Sequence, residues 1–502
     1  MKTFELTVLP EGRILKVPAG ETVLEALRAA GLAPDAPCGG RGACGKCGVL
    51  LEGREVLACQ TRVERDLIIT RKQSVQSEIL TRSLAAETKP DGKNRYVLAF
   101  DIGTTTVVAY LLDGQNGALL STASTLNPQT AYGADVISRI QYVMQNGPDA
   151  LQGAILGAMD VLARQSAEKA GIACGEITLA AVVGNTAMHH LFLAIDPRPL
   201  TTPPYMPNVF EALVRPAKGL LPISPEGTVR ILPNIAGFVG ADTVGCLLST
   251  RFDQLKGTVL LIDIGTNGEM ALTSGGRRIA CSTAAGPAFE GAKIRCGMRG
   301  AAGAIDHVRL EHGRIACSVI GGGKAVGLCG SGLLDAVAVL LETGMVAPGG
   351  RMLAGTGEQG RWTKIDGMDA VILQDEVVLT QKDVREVQLA KAAIRAGIEL
   401  LARQLGVTTD QIETVCLAGA FGNYLSPESA CAIGLIPPCL LSRIVPIGNA
   451  AGEGAKLAAL SEEEFDYSKR LAAGTEFLEL ASLHEFQDCY VDCLGFGEDE
   501  DE

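Results

Sequence analysis

Apolar and polar positions alternate with period two at the start of the chain: Phe4, Leu6 and Val8, a break at Pro10-Glu11-Gly12, then Ile14, Leu15 and Val17. This pattern predicts two strands joined by a turn. Thr22 then stands ahead of Val23, Leu24, Leu27 and Leu32, the spacing of a capped helix with one apolar face. A loop rich in Pro, Gly and Cys follows, and the run Leu67 to Thr70 predicts a last strand that closes a small β-grasp module near residue 72. Lys72 to Arg95 is mostly polar and ends in Lys-Pro-Asp-Gly-Lys-Asn-Arg, so residues 73–95 read as a linker.

From Tyr96 the pattern changes to apolar strands, glycine turns and long Ala/Leu-rich helices, the alternation of an α/β domain. One internal repeat stands out. Val97-Leu98-Ala99-Phe100-Asp101-Ile102-Gly103-Thr104 recurs 162 residues later as Val259-Leu260-Leu261-Ile262-Asp263-Ile264-Gly265-Thr266, and each copy runs on into a second strand, Val107 to Leu112 and Glu269 to Leu272. Two related halves are expected, residues 96–250 and 251–485, with 486–502 as a C-terminal tail that closes on the acidic run Gly497 to Glu502. The apolar stretch Arg385 to Leu401 reads as a buried helix face.

A net charge of -13 repels phosphate backbones and argues against nucleic acid. The most apolar long stretch, Ile177 to Ile195, holds Gly184, Asn185, His189 and His190, so it reads as a buried segment and no membrane partner is expected. With no signal peptide visible in residues 1–20, a cytoplasmic location is expected. Fifteen cysteines in that setting point to metal ligation or plain burial before disulfides.

Cys38, Cys44, Cys47 and Cys59 form a C-x5-C-x2-C-x11-C pattern on a loop that also carries Gly39, Gly40, Gly42, Gly45 and Gly48. Four thiolates hold a two-iron, two-sulfide cluster, and glycines let backbone amides turn toward its sulfurs. Four-thiolate zinc is the competing occupant, although zinc ribbons pair two C-x2-C knuckles and only Cys44 and Cys47 have that spacing. The segment resembles plant-type ferredoxin domains, and its short fourth spacing looks like the ferredoxin modules of molybdenum hydroxylases. Cys489 and Cys493 form a separate C-x3-C pair, too few ligands for a cluster, and Val415-Cys416-Leu417 typifies the buried free thiols expected elsewhere. Adjacent His189 and His190 point about 100° apart on a helix and are read as packing residues.

In an Asp-Ile-Gly-Thr turn the glycine admits backbone N–H groups to a phosphate, the threonine hydroxyl adds a bond, and the aspartate holds Mg²⁺ directly or through water. The chain has no P-loop motif, and Gly327 to Gly332 departs from the dinucleotide fingerprint. Two such turns resemble the superfamily of acetate and sugar kinases, 70-kDa heat-shock chaperones and actin, a two-lobed ATPase fold in which paired loops grip ATP. The resemblance implies that Asp101, Gly103, Thr104 and Thr105 form the first phosphate loop and that Asp263, Gly265, Thr266 and Asn267 form the second. It places Asp101 and Asp263 at Mg²⁺ as the catalytic pair, Gly286 and Glu290 beside the nucleotide, Gly419 and Gly422 in the adenosine loop, and Gly448 to Ala455 in the last connecting helix.

The whole chain resembles the reductive activators of corrinoid-dependent enzymes. Further matching stretches are NPQTAYGADVISRI at 127–140, VVGNTAMHHLFL at 182–193, PNIAGFVGADTVG at 233–245, CGMRGAAGAID at 296–306 and REVQLAKAAIRAG at 385–397. The resemblance implies a [2Fe-2S] cluster, ATP and Mg²⁺ as cofactors and a corrinoid protein of a methyltransferase system as partner, reduced from Co(II) to Co(I) at the expense of ATP. It leaves the upstream electron donor open and allows a homodimer, although the linker is too short for the separate middle domain of larger relatives. Two other readings stand beside it: an ATP-driven electron donor to another metalloenzyme, and a nucleotide-gated redox sensor.

Overall fold

The computed structural model describes residues 2–10, 12–30, 32, 47–51, 53–71, 88–133, 135–265, 267–291, 293–422 and 424–497. The opening alternation folds as strands Thr3–Leu9 and Arg13–Pro18, paired antiparallel with Phe4 opposite Val17 and Leu6 opposite Leu15. Helix Val23–Ala29 starts at Thr22, whose hydroxyl accepts the Glu25 N–H while the Glu25 carboxylate accepts the Thr22 N–H. The helix ends before Leu32, but the Leu32 N–H still reaches the Leu27 carbonyl. Strand Leu67–Arg71 runs parallel to the first strand and antiparallel to Gly48–Leu51, which pairs with Arg54–Leu57 to complete a five-stranded sheet. Leu6, Val8, Leu24, Leu27, Val49 and Ile69 fill the core between this sheet and the helix.

The chain divides into residues 1–79 and 80–502. Residues 88–95, read as the end of a linker, are tied into the second unit: the Asp91 N–H donates to the Leu460 carbonyl, and Lys93 pairs with Glu462.

The internal repeat is a repeat of sheets. In the first half, Tyr96–Ile102 lies between the antiparallel strand Thr106–Asp113, followed outward by Leu119–Leu126, and the parallel strand Ile177–Gly184, followed by Thr228–Ile231. In the second half, Val259–Ile264 has the same surroundings: Gly268–Ser274 and Arg277–Thr283 on one side, Thr414–Ala418 and Ile444–Gly448 on the other. These central strands are buried on both faces, which explains their continuous apolar runs. Leu98, Phe100 and Ile102 face one core; Val97 and Ala99 face another that also holds Val259 and Leu261 of the second half. Asp101 and Asp263 continue the parity of Val97, Ala99, Val259 and Leu261, so both carboxylates turn toward the space between the halves.

Helices Ala241–Ser249 and Ala450–Leu460 cross in that shared core through Gly245 and Gly454. A Cβ on Gly454 would lie 2.1 Å from the Gly245 carbonyl oxygen, so no larger residue fits without moving a helix. Gly454→Ala is expected to cost about 1–3 kcal/mol. The check is a lower thermal midpoint for the second unit with the visible spectrum of the N-terminal unit unchanged.

Residues 284–380 insert two small three-stranded sheets before the capped helix Gln381–Leu405, which contains the apolar stretch read from sequence. The expected tail boundary at 485/486 is corrected. Helix His484–Asp492 crosses it, and Phe486, Cys489, Tyr490, Cys493 and Phe496, at i, i+3, i+4, i+7 and i+10, pack on the core of the second half. The Phe496 N–H donates to the Pro348 carbonyl at 2.8 Å and Gln388 Nε2 to the Leu494 carbonyl at 3.0 Å, so the chain is folded through residue 497. Ile177 to Ile195 is strand and buried helix, and no described helix is long and apolar enough to cross a membrane.

Candidate active site

Cys47 precedes strand Gly48–Leu51 and Cys59 follows strand Arg54–Leu57. Their pairing puts Gly48 opposite Leu57, and the Ala58 N–H donates to the Cys47 carbonyl at 2.9 Å. The eleven-residue gap is thus closed by a hairpin, and the two sulfurs, both buried, stand 3.3 Å apart. That is far beyond the ~2.05 Å of a disulfide. Two such thiols suit one metal centre, and Gln60 Nε2, 3.8 Å from the Cys59 sulfur, offers a donor to it. Cys38 and Cys44 lie outside the described residues.

In the second unit a cavity of about 310 Å³ opens between the two halves. Asp101, Gly103, Thr104 and Thr105 line one side, and Asp263, Gly265, Asn267, Glu290 and Gly419 line the other. Thr266 is outside the described residues; Gly286 and Gly422 do not line the cavity. Gly419 has φ +86°, and a Cβ there would lie 2.4 Å from Asp263 Oδ1, so only glycine brings this backbone against the carboxylate.

The structure adds residues that sequence reasoning missed: Asp242, Glu269, Asn185 and Asn449 also line the cavity. Asn449 caps helix Ala450–Leu460 and donates from Nδ2 to Asp101 Oδ2 at 2.7 Å, linking the halves. Thr105 Oγ1 donates to Glu290 Oε2 at 3.0 Å across the cavity. Glu269 sits directly opposite Asp263 in the strand register, so the sheet itself delivers a second carboxylate.

Four carboxyl groups, Asp101, Asp242, Asp263 and Glu269, therefore share one poorly hydrated space. Burial first, and the neighbouring Asp263 charge second, push Asp242 up to about 7. Burial and the Asp101 charge push Asp263 up to about 6, and Asp101 and Glu269 are raised mainly by burial. Such crowding calls for a cation. Among the described residues, no three His, Cys, Asp or Glu side chains converge closely enough to hold a metal by themselves. The crowded carboxylates themselves suit Mg²⁺, which takes one or two carboxylates and completes its shell with water and phosphate oxygens.

A pH dependence follows. A carboxyl group raised by folding favours the folded state below its unfolded value, and that contribution is lost as pH rises through the folded value. The metal-free second unit should therefore lose this contribution between about pH 4 and pH 7. Mg²⁺ with ATP favours the ionised forms, so binding near pH 6.5 should release protons, and binding at pH 8.5 should release far fewer. Calorimetry in buffers of different ionisation enthalpy checks this; equal release at both pH values would contradict it.

Three regions of the chain match known domains. Residues 6–64 match the 2Fe-2S iron-sulfur cluster binding domain, 96–255 the RACo middle region, and 257–502 the C-terminal domain of RACo, the ASKHA domain. The corrinoid activation enzyme RamQ of Eubacterium limosum is 41% identical over 423 residues, covering 80% of this chain and 70% of that protein. The chain belongs to the RACo family. A second relative, the [Co(II) methylated amine-specific corrinoid protein] reductase of Methanosarcina barkeri, is 27% identical, with 79% of this chain and 76% of that protein covered. Among solved structures, a reductive activator for corrinoid, iron-sulfur protein matches with a TM-score of 0.73 and 29% identity over 98% of both chains. The RACo middle region begins at strand Tyr96–Ile102, the central strand of the first half's sheet, so it is not an addition to the two halves but falls on the first of them.

Of the remaining sequence candidates, His190 is held by the Thr186 carbonyl and the Asn208 N–H, and its neighbour His189 is buried with no hydrogen-bond partner on either ring nitrogen among the described residues. Burial holds His189 neutral by lowering it to about 3. Cys416 is fully buried, as expected of a packing thiol.

Proposed function

We propose that this chain is an ATP-dependent reductive activator of a corrinoid protein, passing one electron from a [2Fe-2S] cluster to an inactive Co(II) corrinoid to give Co(I). The carrying observation is that one RACo-family chain combines a buried thiol pair on a ferredoxin-type sheet with an acidic cavity between two repeated halves. The cluster supplies one-electron chemistry when bound. In this reading Cys38, Cys44, Cys47 and Cys59 hold its irons. Asp101 and Asp263 orient Mg²⁺ through water, Gly103 to Thr105 and Gly265 to Asn267 receive the phosphates, and Gly419 borders the adenosine side with Gly422 behind it. Glu290 flanks the nucleotide, and Gly286, which is not part of the cavity lining, belongs to the loop that leads to it. Residues 1–72 form the electron-donor module and 96–250 and 251–497 the lobes of the ATPase, in the cytoplasm.

ATP carries no electron, so its use must be conformational. An unfavourable one-electron gap of roughly 200 mV corresponds to about 4–5 kcal/mol at 59 mV per tenfold. Differential binding of two protein states covers a gap of that size. The test is coupling. After anaerobic loading the chain should carry two irons and two sulfides, and reduced cluster should be consumed one-for-one with Co(I) formed while ATP is hydrolysed. Hydrolysis in the presence of Co(II) corrinoid that leaves the cluster fully reduced would contradict the reading.

A further inference from the structure

The stretch Asn127 to Ile140 has no task in the account above, yet three of its side chains lie directly behind the first phosphate loop. The Gly103 carbonyl accepts Asn127 Nδ2 at 2.8 Å, the Thr104 carbonyl accepts Arg139 Nη2 at 2.6 Å, and the Thr105 carbonyl accepts the Asn127 N–H at 2.8 Å. Three consecutive carbonyls are thus drawn away from the cavity. Gln129 completes the support: its N–H donates to Asn127 Oδ1 at 3.0 Å and its Nε2 to the Leu151 carbonyl at 2.9 Å.

Arg139 is fully buried on helix Val136–Asn146. Its Nε donates to the Gly133 carbonyl at 2.9 Å, and Nη1 lies 3.4 Å from Gln129 Oε1 and 3.3 Å from the Met188 sulfur. None of these partners is a carboxylate, and among the described residues Arg139 forms no ion pair. Burial lowers it to about 10, which leaves it protonated at neutral pH, and the carboxylates that act on it are Asp135 and, across the cavity, Glu290. A buried cation bonded to neutral dipoles is costly unless an anion comes close. The phosphates expected at Gly103 to Thr105 are that anion.

We propose that Arg139 is a positioning residue for the nucleotide phosphates: with Asn127 it holds the carbonyls of the Gly103–Thr105 loop from behind and supplies a buried positive charge behind that loop. This rests on the reading of the cavity as the MgATP site. Because the charge acts on phosphates and not on the adenosine end, its loss should change discrimination more than general binding.

The test uses the full chain and compares affinities for MgATP and adenosine by calorimetry, with MgATP hydrolysis measured in parallel. Arg139→Gln and Arg139→Met, either of which suffices if folded, are expected to lower the ratio of adenosine Kd to MgATP Kd at least tenfold. Arg139→Lys keeps the charge and one donor. It should hold that ratio within about twofold while kcat falls at least fivefold, because the fork that fixes the loop is gone. A reduced thermal midpoint with the ratio unchanged in the neutral variants would make Arg139 merely structural and overturn the proposal, as would a wild-type kcat in Arg139→Lys. Wild-type protein that fails to bind MgATP would instead overturn the assignment of the cavity.

Discussion

Asp263→Asn is expected to lower MgATP hydrolysis on the order of a hundredfold or more, a loss typical of removing one preorganised electrostatic group from a closed site. The reasons are geometric. Asp263 stands next to last in the central strand of the second half, turns into the shared space, faces Glu269 in register and lies against the Gly419 backbone. Asparagine keeps the shape and removes the charge, so the loss should appear in kcat and in Mg²⁺ dependence while the fold persists. The cluster should still accept an electron from a chemical reductant, because the cavity is built wholly from residues of the second unit. Hydrolysis within a fewfold of wild type would mean that the second loop does not hold the metal.

Cys47→Ser is expected to abolish the visible absorption of the [2Fe-2S] cluster and all electron transfer to the corrinoid. A serine hydroxyl is a poor substitute for a thiolate, and Cys59 would be left as a single thiol where two now stand 3.3 Å apart. Nucleotide affinity should stay within about twofold of wild type. Iron content and spectrum together check the assignment; a variant with unchanged iron and spectrum would remove Cys47 from the ligand set.

These expectations began in the sequence, and what could be read there followed physical rules of short range. The repeat of Val97 to Thr104 was legible because a central strand buried on both faces must be apolar up to the point where its aspartate emerges. The hairpin around residues 48–57 was not, since four-residue strands carry too few positions to display a period. Asp242 and Asn449 escaped because helix packing, not sequence proximity, brings them to Asp263 and Asp101. Glu269 was within reach: a charged residue in the apolar run Gly268 to Ser274, on the register position facing Asp263, has little reason to be there except a site. The tail was misjudged because its acidic last residues outweighed the apolar spacing of Phe486, Cys489 and Cys493.

ATP hydrolysis in the second unit is proposed to drive an electron from the first unit to cobalt. This coupling is tested most directly by mixing the cluster-reduced protein, without oxygen, with a corrinoid protein held in the Co(II) state, and following Co(I) by its absorbance with and without MgATP. Near-complete conversion is expected with MgATP, little without it, and none beyond that background with the Asp263→Asn protein. Co(I) formed equally fast without nucleotide, or no Co(I) under any condition, would contradict this coupling.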